Sequence, residues 1–184
     1  MKDTNKLAMT LFIVSEAFFF ILLILAFLYF QAATVADGAN PANTLEPKKT
    51  AIYTALLLSS SISIWLAGRG NNDESRKKFC VWLMVTMLLG AAFLFGQARE
   101  YARLLSHNVT ISRNLFGTTF FTLTGFHGLH VFAGLTMLAI IFGLALAGDF
   151  PNRQSTAVET VSLYWHFVDA VWIVIFATVY LRIL

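Results

Sequence analysis

The most informative side chain in this sequence is a carboxyl group inside an apolar run. Glu16 follows the start of that run, Ala8, by eight residues, which is about 12 Å along a helix. An ionised carboxylate at the bilayer centre costs about 2.5–3.5 kcal/mol on insertion scales. We therefore expect Glu16 to be a neutral carboxyl bonded to another helix, a proton-transfer group or a ligand for a lipid headgroup. Its protonated form should react with a hydrophobic carbodiimide.

Two histidines lie further along the chain, in a run rich in threonine and glycine. His127 and His130 are three residues apart, so on a helix they share one face with Gly134. Zinc and copper sites normally take three or four ligands, and the run offers no further acidic or cysteine ligand. We predict no metal here. Packing and hydrogen bonding between helices is the preferred interpretation, and a proton-related or lipid-contacting role is the functional alternative.

A third polar group lies near the C-terminus. Trp165, Asp169 and Trp172 fall on one helical stripe, and His166 precedes Asp169 by three residues. A His–Asp pair that shares a hydrogen bond can enter a membrane nearly neutral. Because no nucleophile motif lies nearby, a clamp between helices is predicted for Trp165, His166 and Asp169, in preference to a hydrolase site.

The elements that must position these groups are membrane helices. The chain has 184 residues, of which 58% are hydrophobic and 12% charged, whereas soluble chains are about 45–50% apolar and about 25% charged. A spanning helix needs about 20 apolar residues. The sequence predicts an all-α bundle of five transmembrane helices in a single membrane domain, residues 1–184. The predicted spans are 8–30, 51–68, 79–98, 115–148 (one long, tilted helix) and 161–184.

Charge and cysteine content narrow the possibilities further. The basic triplet Arg76-Lys77-Lys78 lies between two predicted spans, on the same side as the N-terminus. By the positive-inside rule this side is cytoplasmic and the C-terminus is on the other side. The triplet is too short to indicate nucleic-acid binding. The single cysteine, Cys80, excludes an internal disulfide and a multi-thiolate metal site within this chain.

Three stretches resemble a known family. Residues 120–131, 164–172 and 13–19 are similar to segments of subunit III of the haem–copper cytochrome oxidases. The last of these places Glu16 on the carbodiimide-reactive glutamate of that family. The resemblance covers nearly the whole chain and is to the short, five-helix bacterial type. Glu100 and Glu159 also stand where the family has them, and they join the predicted structural clamp.

The resemblance implies an accessory subunit without a redox centre. Such a subunit forms part of cytochrome c oxidase, in the bacterial inner membrane, and supports proton uptake during reduction of O2 to water. Its expected partners are the catalytic subunit I, the other oxidase subunits and membrane phospholipid. Haem and copper are expected in the partner subunits. Leu144 stands where longer relatives have an arginine associated with lipid phosphate, so that lipid contact is not expected here.

Other functions remain open from the sequence. A homologous chain could serve a quinol oxidase or a nitric oxide reductase complex. A proton-coupled transporter using Glu16 would need a polar route across several helices and often an internal repeat, and no repeat is evident. A stand-alone haem protein with two histidine ligands, His130 and His166, would reveal itself by a Soret band.

Overall fold

In the part of the chain that the structure describes, the protein is a bundle of five α helices, seen here in a computed structural model. The structure describes residues 2–36, 45–68, 75–111, 115–147 and 156–181, and within these ranges it contains no strand. Each helix includes a segment long and apolar enough to cross a membrane. The predicted all-α bundle is confirmed. The helices are α1 (Lys2–Ala36), α2 (Pro47–Ala67), α3 (Ser75–Ser106), α4 (Leu115–Ala147) and α5 (Thr156–Val179).

The helices extend beyond their apolar runs. α3 spans 75–106, so it extends beyond both ends of the predicted span, 79–98, and residues 99–106, which lie outside that span, are helical. Glu100 consequently lies on α3. The apolar run marks only the hydrocarbon crossing, while backbone hydrogen bonding continues the helix into the polar interface. At the other end of the chain α5 stops at Val179, and predicted residues 182–184 lie outside the described part of the chain.

The fourth helix is continuous, as predicted. α4 has 33 residues, which corresponds to a length of about 50 Å. Its C-terminal end is capped from α3, because the Arg76 guanidinium donates from Nε to Ala145 O at 2.9 Å and from a terminal nitrogen to Leu146 O at 2.8 Å. A cation is favourable at the negative end of a helix. Arg76 thus has a structural role beyond the topology-setting one predicted for the basic triplet.

α4 and α5 lie in the middle of the bundle. α4 packs against α1, α3 and α5, and α5 packs against α1, α2 and α4, while α2 and α3 form a closely packed pair. The outer face of α1 is apolar, and Phe18 and Leu22 are each about two-thirds exposed. Since both the interior and the outer surface are apolar, buried polar contacts and close approaches of small residues set the arrangement of the helices.

One indole ring contacts three other helices, α2, α3 and α4. Trp165 of α5 is fully buried, and its Nε1 donates to Ser60 Oγ of α2 at 2.9 Å. A Cβ atom added to Gly90 of α3 would lie 2.8 Å from the indole, and so would one added to Gly134 of α4. The two glycines therefore allow α3 and α4 to approach the indole ring directly.

Candidate functional site

The intramembrane carboxyl group has a partner on the fourth helix. Glu16 Oε2 of α1 lies 3.1 Å from His130 Nε2 of α4. The two side chains are 22% and 15% exposed, respectively, so the pair is shielded but reachable from the outer surface. Bonding to another helix is one of the three roles that the sequence leaves open for Glu16, and the structure brings these two candidate residues together.

Hydrogen bonding limits the protonation states of this pair. His130 Nδ1 lies 2.8 Å from the carbonyl oxygen of Phe126, and because a carbonyl only accepts, Nδ1 carries a hydrogen. A neutral His130 then presents an unprotonated Nε2, which can accept a hydrogen bond from protonated Glu16. A cationic His130 instead donates to the Glu16 carboxylate. In either form, the hydrogen bond places a proton between Oε2 and Nε2.

Aromatic rings surround the Glu16–His130 pair. The ring of Phe20 packs edge-on to the His130 imidazole, with the centroids 5.0 Å apart. From α5, the Tyr164 hydroxyl donates to the backbone carbonyl of His130 at 3.1 Å. The pair is therefore positioned by three helices, α1, α4 and α5.

His127 belongs to a different environment from His130. It is fully buried, its imidazole stacks on Trp172 at a centroid distance of 4.8 Å, and the edge contact with Phe93 is 5.8 Å. Neither of its ring nitrogens has a hydrogen-bond partner among the described residues. The expectation that His127 hydrogen-bonds between helices is wrong, although the expectation of packing is confirmed. The two histidines do not converge on a common point.

The polar stripe of α5 is joined to α2 rather than closed on itself. Ser61 of α2 hydrogen-bonds Asp169 Oδ2, and its Oγ lies 2.9 Å from His166 Nδ1. The predicted His–Asp contact is thus made through a serine. One helical turn further along, Trp172 Nε1 donates to Thr54 Oγ1 at 2.9 Å. These contacts place Asp169 and His166, with Trp165, at one interhelical junction.

The two remaining clamp residues lie at opposite ends of the bundle. Glu100 accepts hydrogen bonds from the hydroxyl of Tyr180 at 2.6 Å and from Thr50 at 3.3 Å. Glu159 forms an ion pair with Lys6 at 2.6 Å, which joins the start of α5 to α1. The five predicted residues therefore join helices at three separate places instead of forming one clamp.

Sequence reasoning missed a further polar junction between α3 and α4. Gln97 Nε2 donates to the carbonyl oxygen of Thr124 at 2.6 Å, and the hydroxyls of Tyr101 and Thr124 lie 2.7 Å apart. Gln97 and Tyr101 are four residues apart, so they share a helix face. That spacing was the available signal, but Tyr101 lies outside the predicted span, 79–98, and so was not placed on the same helix as Gln97.

The described residues contain no group of three or more His, Cys, Asp or Glu side chains able to hold a metal ion. Five long apolar helices joined by buried hydrogen bonds define the chain as a multi-pass α-helical membrane protein. Its polar residues connect helices to one another.

Comparison with known proteins gives the family. Residues 1–182 match the family described as cytochrome c oxidase subunit III. The chain is 37% identical over 175 residues to cytochrome c oxidase subunit 3 of Corynebacterium diphtheriae, covering 92% of this chain and 83% of the relative. It is also 37% identical over 183 residues to the Homo sapiens protein of that name, covering 95% and 68%. For the probable cytochrome c oxidase subunit 3 of Mycobacterium leprae the identity is 37% over 158 residues, covering 83% and 76%.

The chain belongs to the cytochrome c oxidase subunit III family, a family of accessory, non-catalytic subunits of haem–copper oxidases. The resemblance seen in its three motifs is therefore confirmed.

Proposed function

We propose that this chain supports proton uptake by a proton-pumping cytochrome c oxidase of the bacterial inner membrane. In this proposal it contacts the catalytic subunit I and other oxidase subunits, which hold haem and copper, and it retains phospholipid. The observation that carries the proposal is the 3.1 Å contact between Glu16 Oε2 and His130 Nε2. In the proposal, this contact is a specific proton-holding site within the bilayer.

The geometry supports a proton-holding role because the pair can move a proton without changing its net charge. Transfer from the Glu16 carboxyl to His130 Nε2 converts a neutral pair into an ion pair of zero total charge. An isolated ion would cost several kcal/mol in hydrocarbon, whereas the paired form keeps its partner within hydrogen-bond distance. The Phe126 carbonyl keeps Nδ1 protonated, so Nε2 is the nitrogen that exchanges with Glu16.

Contact with partner subunits and lipid is supported by the outer faces of the helices. Large apolar side chains are exposed along α1, including Phe18, Leu22 and Leu25. Apolar surface of this extent marks contact with a membrane or with other proteins. A cytoplasmic N-terminus is supported by the basic triplet that begins at Arg76, which lies at the same end of the bundle as the start of α1.

The test is chemical labelling of the purified oxidase complex. Membranes are solubilised gently, the complex is recovered through a tag on this chain, and dicyclohexylcarbodiimide is added. We expect Glu16→Gln to leave co-purification of the haem-containing subunits intact and to abolish labelling of this chain. The matched control is Glu159→Gln, which removes an acid that is paired with Lys6 at the end of the bundle. It should label like the parent.

A second readout addresses function directly. The complex carrying Glu16→Gln should complete fewer turnovers before inactivation than the parent complex, because one route of proton supply is impaired. Full labelling of Glu16→Gln would refute the assignment of the reactive carboxyl group. Unchanged turnover and turnover-dependent inactivation would refute the proton-uptake role. Recovery of the chain without any haem-containing partner would refute the assembly itself.

A further inference from the structure

A cavity opens at the end of the bundle that is remote from the N-terminus. Its volume is about 360 Å³, which is within the range of about 300–1,000 Å³ for small-molecule sites. It lies between the start of α2, the last turns of α3 and the second half of α5. It involves neither Glu16 nor His130. Its lining includes Lys49, Tyr53, Phe93, Arg99, Glu100 and Trp172.

The floor of the cavity is apolar and deeply buried. Phe93 and Trp172 are each 1% exposed, and their ring centroids are 4.7 Å apart. Tyr53 closes one side, because its ring lies against Gly96, where a Cβ atom would come within 2.5 Å of it. An occupant that reached this floor would bury apolar groups against aromatic faces.

The rim of the cavity is charged, and most of its charges are already paired. Glu46 forms ion pairs with Lys49 at 2.7 Å and with Arg103. The hydrogen bond from Lys49 and the charge of Arg103 hold the pKa of Glu46 below its ordinary value. Glu46 is therefore anionic at neutral pH, and it binds both of these cations.

One cation at the rim, Arg99, has no carboxylate partner among the residues that the structure describes. The guanidinium carbon of Arg99 lies 5.6 Å from the centroid of the Phe95 ring, and no carboxylate of the described residues is within ion-pair distance of it. Arg99 is exposed. The lining holds three basic and two acidic side chains, so even with both carboxylates ionised one positive charge is in excess. An arginine readily donates bidentate hydrogen bonds to a phosphate.

We propose that this cavity binds an anionic phospholipid, with the phosphate at Arg99 and the glycerol and first acyl carbons over Phe93 and Trp172. The excess positive charge calls for a headgroup with a net negative charge. The apolar floor calls for a hydrocarbon portion, which a free phosphate ion lacks. The exposed ring of Phe95 beside Arg99 is placed to contact the remaining acyl chain in the membrane.

This inference deepens the proposed function, since it specifies a class of lipid and a site for it. It uses different helices from the proton-holding pair, so the two can fail independently. Loss of lipid binding with normal carbodiimide labelling would affect only the cavity. Loss of co-purification with haem-containing subunits would affect only the proposed function.

The experiment uses the delipidated oxidase complex and a phosphatidylglycerol that carries a diazirine near the start of one acyl chain. After photolysis, mass spectrometry maps the labelled peptides of this chain. We expect labelling of the α2 and α3 segments that line the cavity. Arg99→Gln should weaken apparent binding about fivefold, which is the usual contribution of one basic residue to anionic-lipid binding, and Arg99→Lys should largely restore it. The matched control is Lys77→Gln, which removes one charge from the exposed other end of α3 and should have no effect on this labelling.

Each alternative outcome overturns the proposal. Absence of labelling at the lining would show that the cavity holds no lipid. Equal labelling by the matching phosphatidylcholine, or equal labelling in Arg99→Gln, would show that its positive charge selects nothing. Full competition by millimolar inorganic phosphate would identify an ion site in place of a lipid site.

Discussion

The close contact between α4 and α5 depends on a glycine at one position. Gly134 lies against the indole of Trp165, and an added Cβ would come 2.8 Å from Cε3 and 2.9 Å from Cζ3 of that ring. It would also lie 3.3 Å from Tyr164. Trp165 cannot withdraw, because it is fully buried and bonded to α2. We predict that Gly134→Ala destabilises the bundle through this overlap.

The change in the free energy of unfolding caused by Gly134→Ala is the sum of two opposing contributions. Overpacking a well-packed core costs typically about 1–3 kcal/mol. Replacing glycine by alanine within a helix returns about 1 kcal/mol through intrinsic propensity. Gly143→Ala isolates the second term, because nothing lies within 4 Å of a Cβ added there and the residue is on the same helix. The free energies of unfolding of the two alanine variants should therefore differ by about 1–3 kcal/mol, with Gly134→Ala the less stable.

The assay is unfolding of the purified chain in mixed micelles with rising mole fraction of sodium dodecyl sulfate, followed by circular dichroism. Trp165→Phe supplies the coupling test. Since Phe lacks the part of the indole nearest to Gly134, the cost of Gly134→Ala should shrink in that background. Equal stability of Gly134→Ala and Gly143→Ala would refute the close-contact reasoning, and so would a cost that is unchanged in Trp165→Phe.

Two further predictions concern the junctions between helices. Ser61→Ala removes the bridge to Asp169 and should cost about 1–3 kcal/mol, because a buried polar partner loses its hydrogen bond. The control is Ser59→Ala on the same helix, whose hydroxyl donates to the backbone carbonyl of Ala55 and whose loss should be nearly neutral. Equal melting of the two variants would contradict this prediction. Ion pairing with Lys49 lowers the pKa of Glu46 below 4.5, so its stabilising contribution is full above that value and is lost as the pH falls through the lowered pKa. The melting temperatures of the parent and Glu46→Gln should therefore differ at neutral pH and converge in acid, and a difference that persisted in acid would contradict the ion-pair assignment.

The number and type of elements could be predicted from the sequence, because hydrocarbon thickness imposes a minimum length on each apolar run. The long fourth helix is an example, since no polar turn interrupts it. The helix ends could not be predicted in the same way. A helix does not have to end where the chain leaves the hydrocarbon. α3, for example, continues to Ser106 through polar residues that are also common in loops.

The partners of the polar side chains depend on how each helix is rotated. His127 and His130 are three residues apart, so they point about 60° apart around the helix. That difference is enough for His130 to contact Glu16 of α1 while His127 packs on Trp172 of α5. The helical spacing of polar residues in the sequence shows which of them share a face of the helix. It does not show which neighbouring helix packs against each part of that face.

By itself the sequence predicted five membrane crossings, a resemblance to the oxidase subunit III family, and a carboxyl group at Glu16 that is costly in lipid unless it is protonated or hydrogen-bonded. These conclusions follow from local quantities: apolar length, motif spacing and the cost of a carboxyl group in lipid. Only the tertiary structure identified three further features. These are His130 as the hydrogen-bond partner of Glu16, Ser61 between His166 and Asp169, and the charged cavity at Arg99. Each of these contacts joins residues distant along the chain, and the packing of one helix against another decides which of them meet.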